Sequence, residues 1–161
     1  MTTPTTPTVT MLKPILLVED NPHDLELTLI ALSKSQLANE VVIVRDGAEA
    51  LDYLHRRGEF KERTIGNPAV ILLDLKLPKV DGLEVLKEIR ETDCLKSIPV
   101  CMLTSSKEEQ DVVRSYELGV NAYVVKPVDF AEFVRAIGDL GIFWAVLNEP
   151  PPGSRRYVKP K

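Results

Sequence analysis

Four short apolar runs, each stopping at a polar residue, constrain this 161-residue chain more than any other feature of it. Ile15-Leu16-Leu17-Val18 stops at Glu19-Asp20, Val70-Ile71-Leu72-Leu73 at Asp74, Val100-Cys101-Met102-Leu103 at Thr104, and Tyr123-Val124-Val125 at Lys126. A strand covered by helices on both faces is apolar at every position instead of at alternate ones, so the runs predict buried parallel strands. A further run, Val41-Val42-Ile43-Val44, predicts a fifth. In an open α/β sheet all carboxyl ends of parallel strands lie along one edge, where such folds bind ligands. Glu19, Asp20, Asp74, Thr104 and Lys126 are therefore expected to meet at one site.

Helix signals separate the runs. Asn21 is a cap followed by Pro22 at the first helical position, and a helix is predicted to about Ser35. The second helix begins near Asp46 with an apolar stripe of Ala50, Leu51 and Leu54. Residues 58–68 read as a polar connection, and residues 75–82 as a loop rich in turn residues. A third helix runs from Leu83 to about Glu91, and a fourth, capped by Ser105 or Ser106, reaches Leu118 and is closed by Gly119. The last starts after Asp129, with Phe130, Phe133, Val134, Ile137 and Leu140 at helical spacing. Regular alternation of strand and helix predicts a parallel sheet with right-handed crossovers. Three segments are expected: a disordered Thr/Pro-rich tail (1–11), one domain (12–148), and a Pro-rich, basic extension (149–161).

Three carboxylates brought together repel one another unless a cation sits among them. An all-oxygen donor set with room for water suits Mg²⁺, commonly shared with a phosphate. A lysine ammonium and a threonine hydroxyl on the same rim can hold phosphoryl oxygens. Together these are the parts for placing a phosphoryl group on a carboxylate. Each residue alone has a plainer role: Asp74 as a helix cap, Lys126 as a solvated lysine, Tyr123 as a half-buried aromatic. Their combination at four strand ends is what argues for chemistry. His23, at a helix start, reads as an ordinary exposed histidine.

Composition narrows the class further. A net charge of −4 gives no general reason to expect nucleic acid or membrane binding, and the four basic residues within 153–161 read as a solvated tail. Cys94 and Cys101 read as free thiols of a reducing compartment, and no signal peptide or membrane-spanning run is present, which predicts a cytoplasmic protein. There is no G-x-x-x-x-G-K-[ST] and no G-x-G-x-x-G to cradle a nucleotide.

Glu19-Asp20, Asp74 with Pro78 and Asp81-Gly82, Thr104-Ser105 and Lys126-Pro127, in this order and spacing, resemble the receiver domain of two-component response regulators over roughly residues 13–140. The resemblance implies a flavodoxin-like (βα)5 doubly wound sheet of order 2-1-3-4-5 in a three-layer sandwich. It implies that Asp74 is the phosphoacceptor and that Asp20, Asp74, the backbone carbonyl of Lys76 and, partly through water, Glu19 bind Mg²⁺. Thr104 and Lys126 would contact the phosphoryl oxygens, and Tyr123 would change rotamer when Thr104 moves. Such a protein is a signalling phosphoacceptor and not an enzyme acting on external substrates. A phosphatase of the haloacid dehalogenase type also uses a strand-end Asp with Mg²⁺, but wants a second Asp two residues on, where this chain has Lys76. The remaining alternative is a phosphorylation-independent adaptor.

The stretch from Phe143 to Pro151 resembles the extension of single-domain response regulators that partner bacterial phytochromes. That implies a phytochrome-like histidine kinase as partner, a downstream target of unknown kind, and a homodimer whose interface includes Tyr123, Phe143, Trp144, Asn148, Pro150 and Pro151. From composition alone, Phe143 and Trp144 serve equally well to finish the domain's own core. No output domain is expected, since about thirteen residues follow Asn148.

Overall fold

Side chains that are apolar at every position need cover on both faces, and the strands they form receive it. In the computed structural model, which describes residues 13–34, 39–64, 66–126, 131, 132 and 135, β1 (Ile15–Val18), β3 (Val70–Leu73) and β4 (Val100–Thr104) are buried throughout. They form the centre of a five-stranded parallel sheet of order β2-β1-β3-β4-β5, with β2 (Val41–Val44) and β5 (Ala122–Val125) at its edges. The edge strands are less covered, and Ile43 of β2 is exposed. Two apolar clusters flank the sheet. One joins Leu16, Val18, Ile71 and Leu73 to α2 (Gly47–His55) and α3 (Gly82–Glu91), and the other joins Ile15, Leu17, Val70 and Leu72 to α1 (Pro22–Lys34). The doubly wound, three-layer architecture expected from the sequence is therefore present.

Helix starts follow their caps. Asn21 Oδ1 accepts from the backbone N–H of His23 and Asp24 at 2.9 and 3.0 Å, and Asp46 and Asp81 accept from Glu49 and Glu84 at 2.7 and 3.0 Å. The fourth helix departs from expectation. α4 (Glu109–Glu117) starts after Glu108, so neither Ser105 nor Ser106 caps it. Ser106 Oγ instead donates to Asp111 Oδ2 at 2.6 Å and accepts from Glu108 N–H at 3.4 Å, fixing the loop that leads into the helix's own cap, Glu108. Gly119 closes α4 at φ 91°, as read from the sequence.

The connection at 58–68 is more structured than a polar loop. It contains a 3-10 turn at Gly58–Phe60, whose Phe60 packs edge-on to Tyr53 at 5.2 Å between ring centroids. Arg63 lies over the same Tyr53 ring at 4.2 Å. Asn67, buried, donates to the Cys94 carbonyl at 2.7 Å. Ala131, Glu132 and Arg135 are helical where the last helix is expected; the N-terminal tail, Pro127, Phe130, Phe133, Val134, Ile137, Leu140 and the extension with Phe143, Trp144, Asn148, Pro150 and Pro151 lie outside the described residues.

Two glycines let helix starts close against the loop that follows β3. A Cβ on Gly82 would stand 2.2 Å from the carbonyl oxygen of Asp74, and one on Gly47 would stand 1.8 Å from that of Val80. Between them Lys79 adopts φ 66°, with Val80 N–H returning to Pro78 C=O at 2.8 Å, a strained three-residue turn. Replacing Gly82 with alanine forces backbone to move at the Asp74 strand end, and should cost about 2 kcal/mol or more in urea unfolding. Lys87→Ala, at an exposed position of the same helix, serves as the control. A Gly82→Ala protein as stable as wild type would show that this close approach constrains nothing.

Candidate functional site

Strand register assembles the site. Val18 pairs with Leu73, so Glu19 and Asp74 stand next to one another, and Asp74 N–H donates to the Val18 carbonyl at 3.1 Å. On the other side Thr104 pairs with Val125, and Lys126 N–H donates to the Thr104 carbonyl at 2.8 Å. Four strand ends thus bring Glu19, Asp20, Asp74, Thr104 and Lys126 to one edge of the sheet, as expected.

Lys126 crosses this edge to the carboxylates. Its Nζ donates to Glu19 Oε2 at 2.6 Å, to Asp24 Oδ2 at 3.0 Å and to Asp74 Oδ2 at 3.3 Å, with only 11% of its side chain exposed. Glu19 is buried, its second oxygen accepting from Asn21 N–H at 3.2 Å, and Asp74 is 9% exposed. Burial pushes the Glu19 carboxyl up to about 7; the hydrogen bond from Lys126 opposes this, and the charge of Asp74 adds to it. For Lys126 burial works against the charged form, but the bond to Glu19 and the charges of Asp74 and Glu19 outweigh it and raise the pKa. The ammonium therefore stays charged while the most enclosed carboxyl is poised near neutrality.

Glu19, Asp20 and Asp74 each offer an oxygen within 4.8 Å of the others, the donor set of a hard divalent cation. Asp20 and Lys76 are exposed and line an open groove of about 460 Å³ together with Pro78, Asp81 and Asp111. A somewhat larger cleft of about 520 Å³, along α1, is lined by none of the predicted site residues.

Thr104 is buried, its Oγ1 accepting from Ser106 N–H at 3.3 Å. Tyr123, half-buried, donates its hydroxyl to the Ser106 carbonyl at 3.0 Å. Thr104 and Tyr123 are thus tied to the same residue of the β4–α4 loop. Two site residues were not singled out in the sequence. Asp24 sits in the first turn of α1, four residues after Asp20, where a helix springing from a strand end turns a side chain back over that end. Asp111 lies in the first turn of α4 on the groove rim, and its signal was the acid-rich helix start.

Residues 15–138 match the family model described as the response regulator receiver domain. The chain belongs to that family. The receiver is similar to "Response regulator Rcp1" of Synechocystis sp., 43% identical over 132 residues, which are 82% of this chain and 88% of Rcp1. The phosphorylated cyanobacterial phytochrome response regulator RcpA superposes with a TM-score of 0.80 at 43% identity, covering 87% of this chain and 99% of that one. The bacteriophytochrome response regulator RtBRR is 75% identical, with a TM-score of 0.73, covering 89% of this chain and 87% of that one. Rcp1 has also been solved in an Mn²⁺-bound form, with a TM-score of 0.78 at 42% identity over 86% of this chain and 99% of that one. The receiver is a two-component response regulator, and its acidic pocket holds the oxygen donors that suit a divalent cation.

The raised Glu19 pKa has a signed consequence. The folded receiver binds this proton more tightly than the unfolded chain, where the group titrates near 4.5. The associated stability is complete below about 4.5 and is lost as pH rises through about 7. In metal-free buffer the wild type should therefore lose on the order of 2 kcal/mol over this range relative to Glu19→Gln. Parallel stability–pH curves for the two proteins would contradict it.

Proposed function

We propose that the receiver takes a phosphoryl group on Asp74 from a phytochrome-like histidine kinase, with Mg²⁺ in the carboxylate site, and switches a dimeric surface in response. The observation that carries this reading is the ammonium of Lys126, 3.3 Å from Asp74 at the end of β3 and in contact with Glu19 beside it. An anionic carboxylate is itself the nucleophile and needs no separate base. An Asp74 oxygen forms a bond to phosphorus as the donor's P–N bond breaks, through a loose transition state that spreads charge over the equatorial oxygens. Lys126 neutralises part of that charge, and the Thr104 hydroxyl donates to one phosphoryl oxygen. Asp20, Asp74, the Lys76 carbonyl and, through water, Glu19 would hold Mg²⁺, which would neutralise the clustered carboxylates and supply positive charge to the phosphoryl group.

Movement of Thr104 toward the phosphoryl group strains its bond with Ser106 N–H, and Tyr123 is bonded to the carbonyl of that same residue. This gives the switch from Thr104 to Tyr123 a route through the β4–α4 loop. With Lys76 where a phosphatase would need its acid, the receiver turns over no external substrate on this reading. Likeness to response regulators named for phytochromes supports that kinase class as partner. Val113 and Tyr116 are exposed one turn apart on α4, which supports an interface on the side of α4 and β5, extended by Phe143, Trp144, Asn148, Pro150 and Pro151.

Asp74→Asn should abolish acid-labile labelling by acetyl phosphate, and chelation of Mg²⁺ should do the same to wild type. Undiminished labelling of Asp74→Asn would refute the assignment. Sedimentation should give a dimer that acetyl phosphate tightens and that Trp144→Ala weakens by around thirtyfold. A wild type that stays monomeric at tens of micromolar in both states would return the aromatics to the domain's own core.

A further inference from the structure

We propose that Asp24 is a competing acceptor for Lys126: it holds the ammonium toward α1 in the unmodified receiver, and must give way when Lys126 closes on a phosphoryl group. This rests on the reading of Asp74 as phosphoacceptor. An ammonium has three N–H donors. Those of Lys126 are taken up by three carboxylates, with Glu19 at 2.6 Å, Asp24 at 3.0 Å and Asp74 at 3.3 Å. The ammonium thus lies nearer to Glu19 and the α1 acid than to Asp74.

The three partners differ in freedom. Glu19 has 2% of its side chain exposed and a second oxygen fixed by Asn21 N–H, so it cannot follow or release the ammonium easily. Asp74 loses the charge of its own carboxylate on modification and presents phosphoryl oxygens in its place. Asp24 is neither a predicted cation ligand nor the acceptor. With 32% of its side chain exposed, its carboxylate bonds Lys126 and no other group among the described residues. Drawing Lys126 toward a phosphoryl oxygen on Asp74 lengthens the Asp24 contact first. Asp24 is therefore a positioning residue that weakens the site's hold on a phosphoryl group and favours the unmodified state.

Beryllofluoride, a non-covalent phosphoryl mimic, tests this at saturating Mg²⁺ in the full chain. Its dissociation constant should fall about fivefold in Asp24→Asn, the order expected for a partly exposed charged pair. Asp24→Glu, which keeps the charge, should stay within about twofold of wild type. Asp24→Asn added to Lys126→Met should change nothing, because the effect runs through the ammonium. Unchanged or weaker binding by Asp24→Asn overturns the proposal. So does an equal gain in the Lys126→Met background, which would mean direct repulsion between Asp24 and the mimic. Asp24→Ala is read by the same criteria should the Asn variant fold poorly. A wild type that does not bind beryllofluoride, or an Asp74→Asn variant that binds it equally well, refutes the phosphoacceptor reading first and this inference with it.

Discussion

Lys126 sets one ammonium against Glu19, Asp24 and Asp74, two of which are almost fully buried, and the carboxyl edge of the sheet depends on that contact. Carboxylates so placed repel one another. A buried positive charge within 2.6–3.3 Å of all three offsets that repulsion. A divalent cation, on the proposed reading, would extend the same logic to Asp20 on the exposed side. On the proposed function, the ammonium that neutralises the acids before transfer would also neutralise phosphoryl charge during it.

The scaffold fixes that cluster with little freedom. β1, β3 and β4 are buried along their whole lengths, so their ends cannot slip without moving every apolar side chain out of register. Gly82 brings the first turn of α3 against the Asp74 carbonyl, and Gly47 brings α2 against the loop between them. Behind the site, Arg90 donates to the carbonyls of Gly119, Lys96 and Ile98 and to the Asn121 side chain, tying α3 to the entry of β4 and the loop before β5. The β4–α4 loop is held instead by side chains. Ser106 alone engages Thr104, Asp111 and Tyr123, and this is the part of the site that a new phosphoryl contact would rearrange.

The parallel sheet and the five strand-end residues were legible because both follow from short-range pattern: apolar runs mark buried strands, and parallel strands share an edge; the strand order was legible only through the resemblance to receiver domains. The cap Asn21 was likewise legible from short-range pattern, whereas Asp46 was read only as a helix start and Asp81 only as part of a loop. What escaped was set by tertiary contact. Asp24 looks like any acid in a helix's first turn until Lys126, about a hundred residues away, arrives beside it. Ser106 has the chemistry of a cap, but its hydroxyl is turned to Asp111 and its carbonyl is held by the Tyr123 hydroxyl, and α4 begins later. The connection at 58–68 was read as polar because Arg63 and Asn67 are polar, yet both spend their donors on backbone carbonyls within the packed region.

The central claim, that this cluster exists to place a phosphoryl group on one carboxylate, is tested most directly by finding the modified atom. An aspartyl phosphate is an acyl phosphate, which borohydride reduces to the alcohol, leaving homoserine in place of the aspartate. After phosphorylation by a phytochrome-like histidine kinase and borohydride trapping, tandem mass spectrometry should find homoserine at position 74 and at no other acid. Conversion at Asp20 or Asp24, or none anywhere in receiver that the kinase has labelled, would contradict the account.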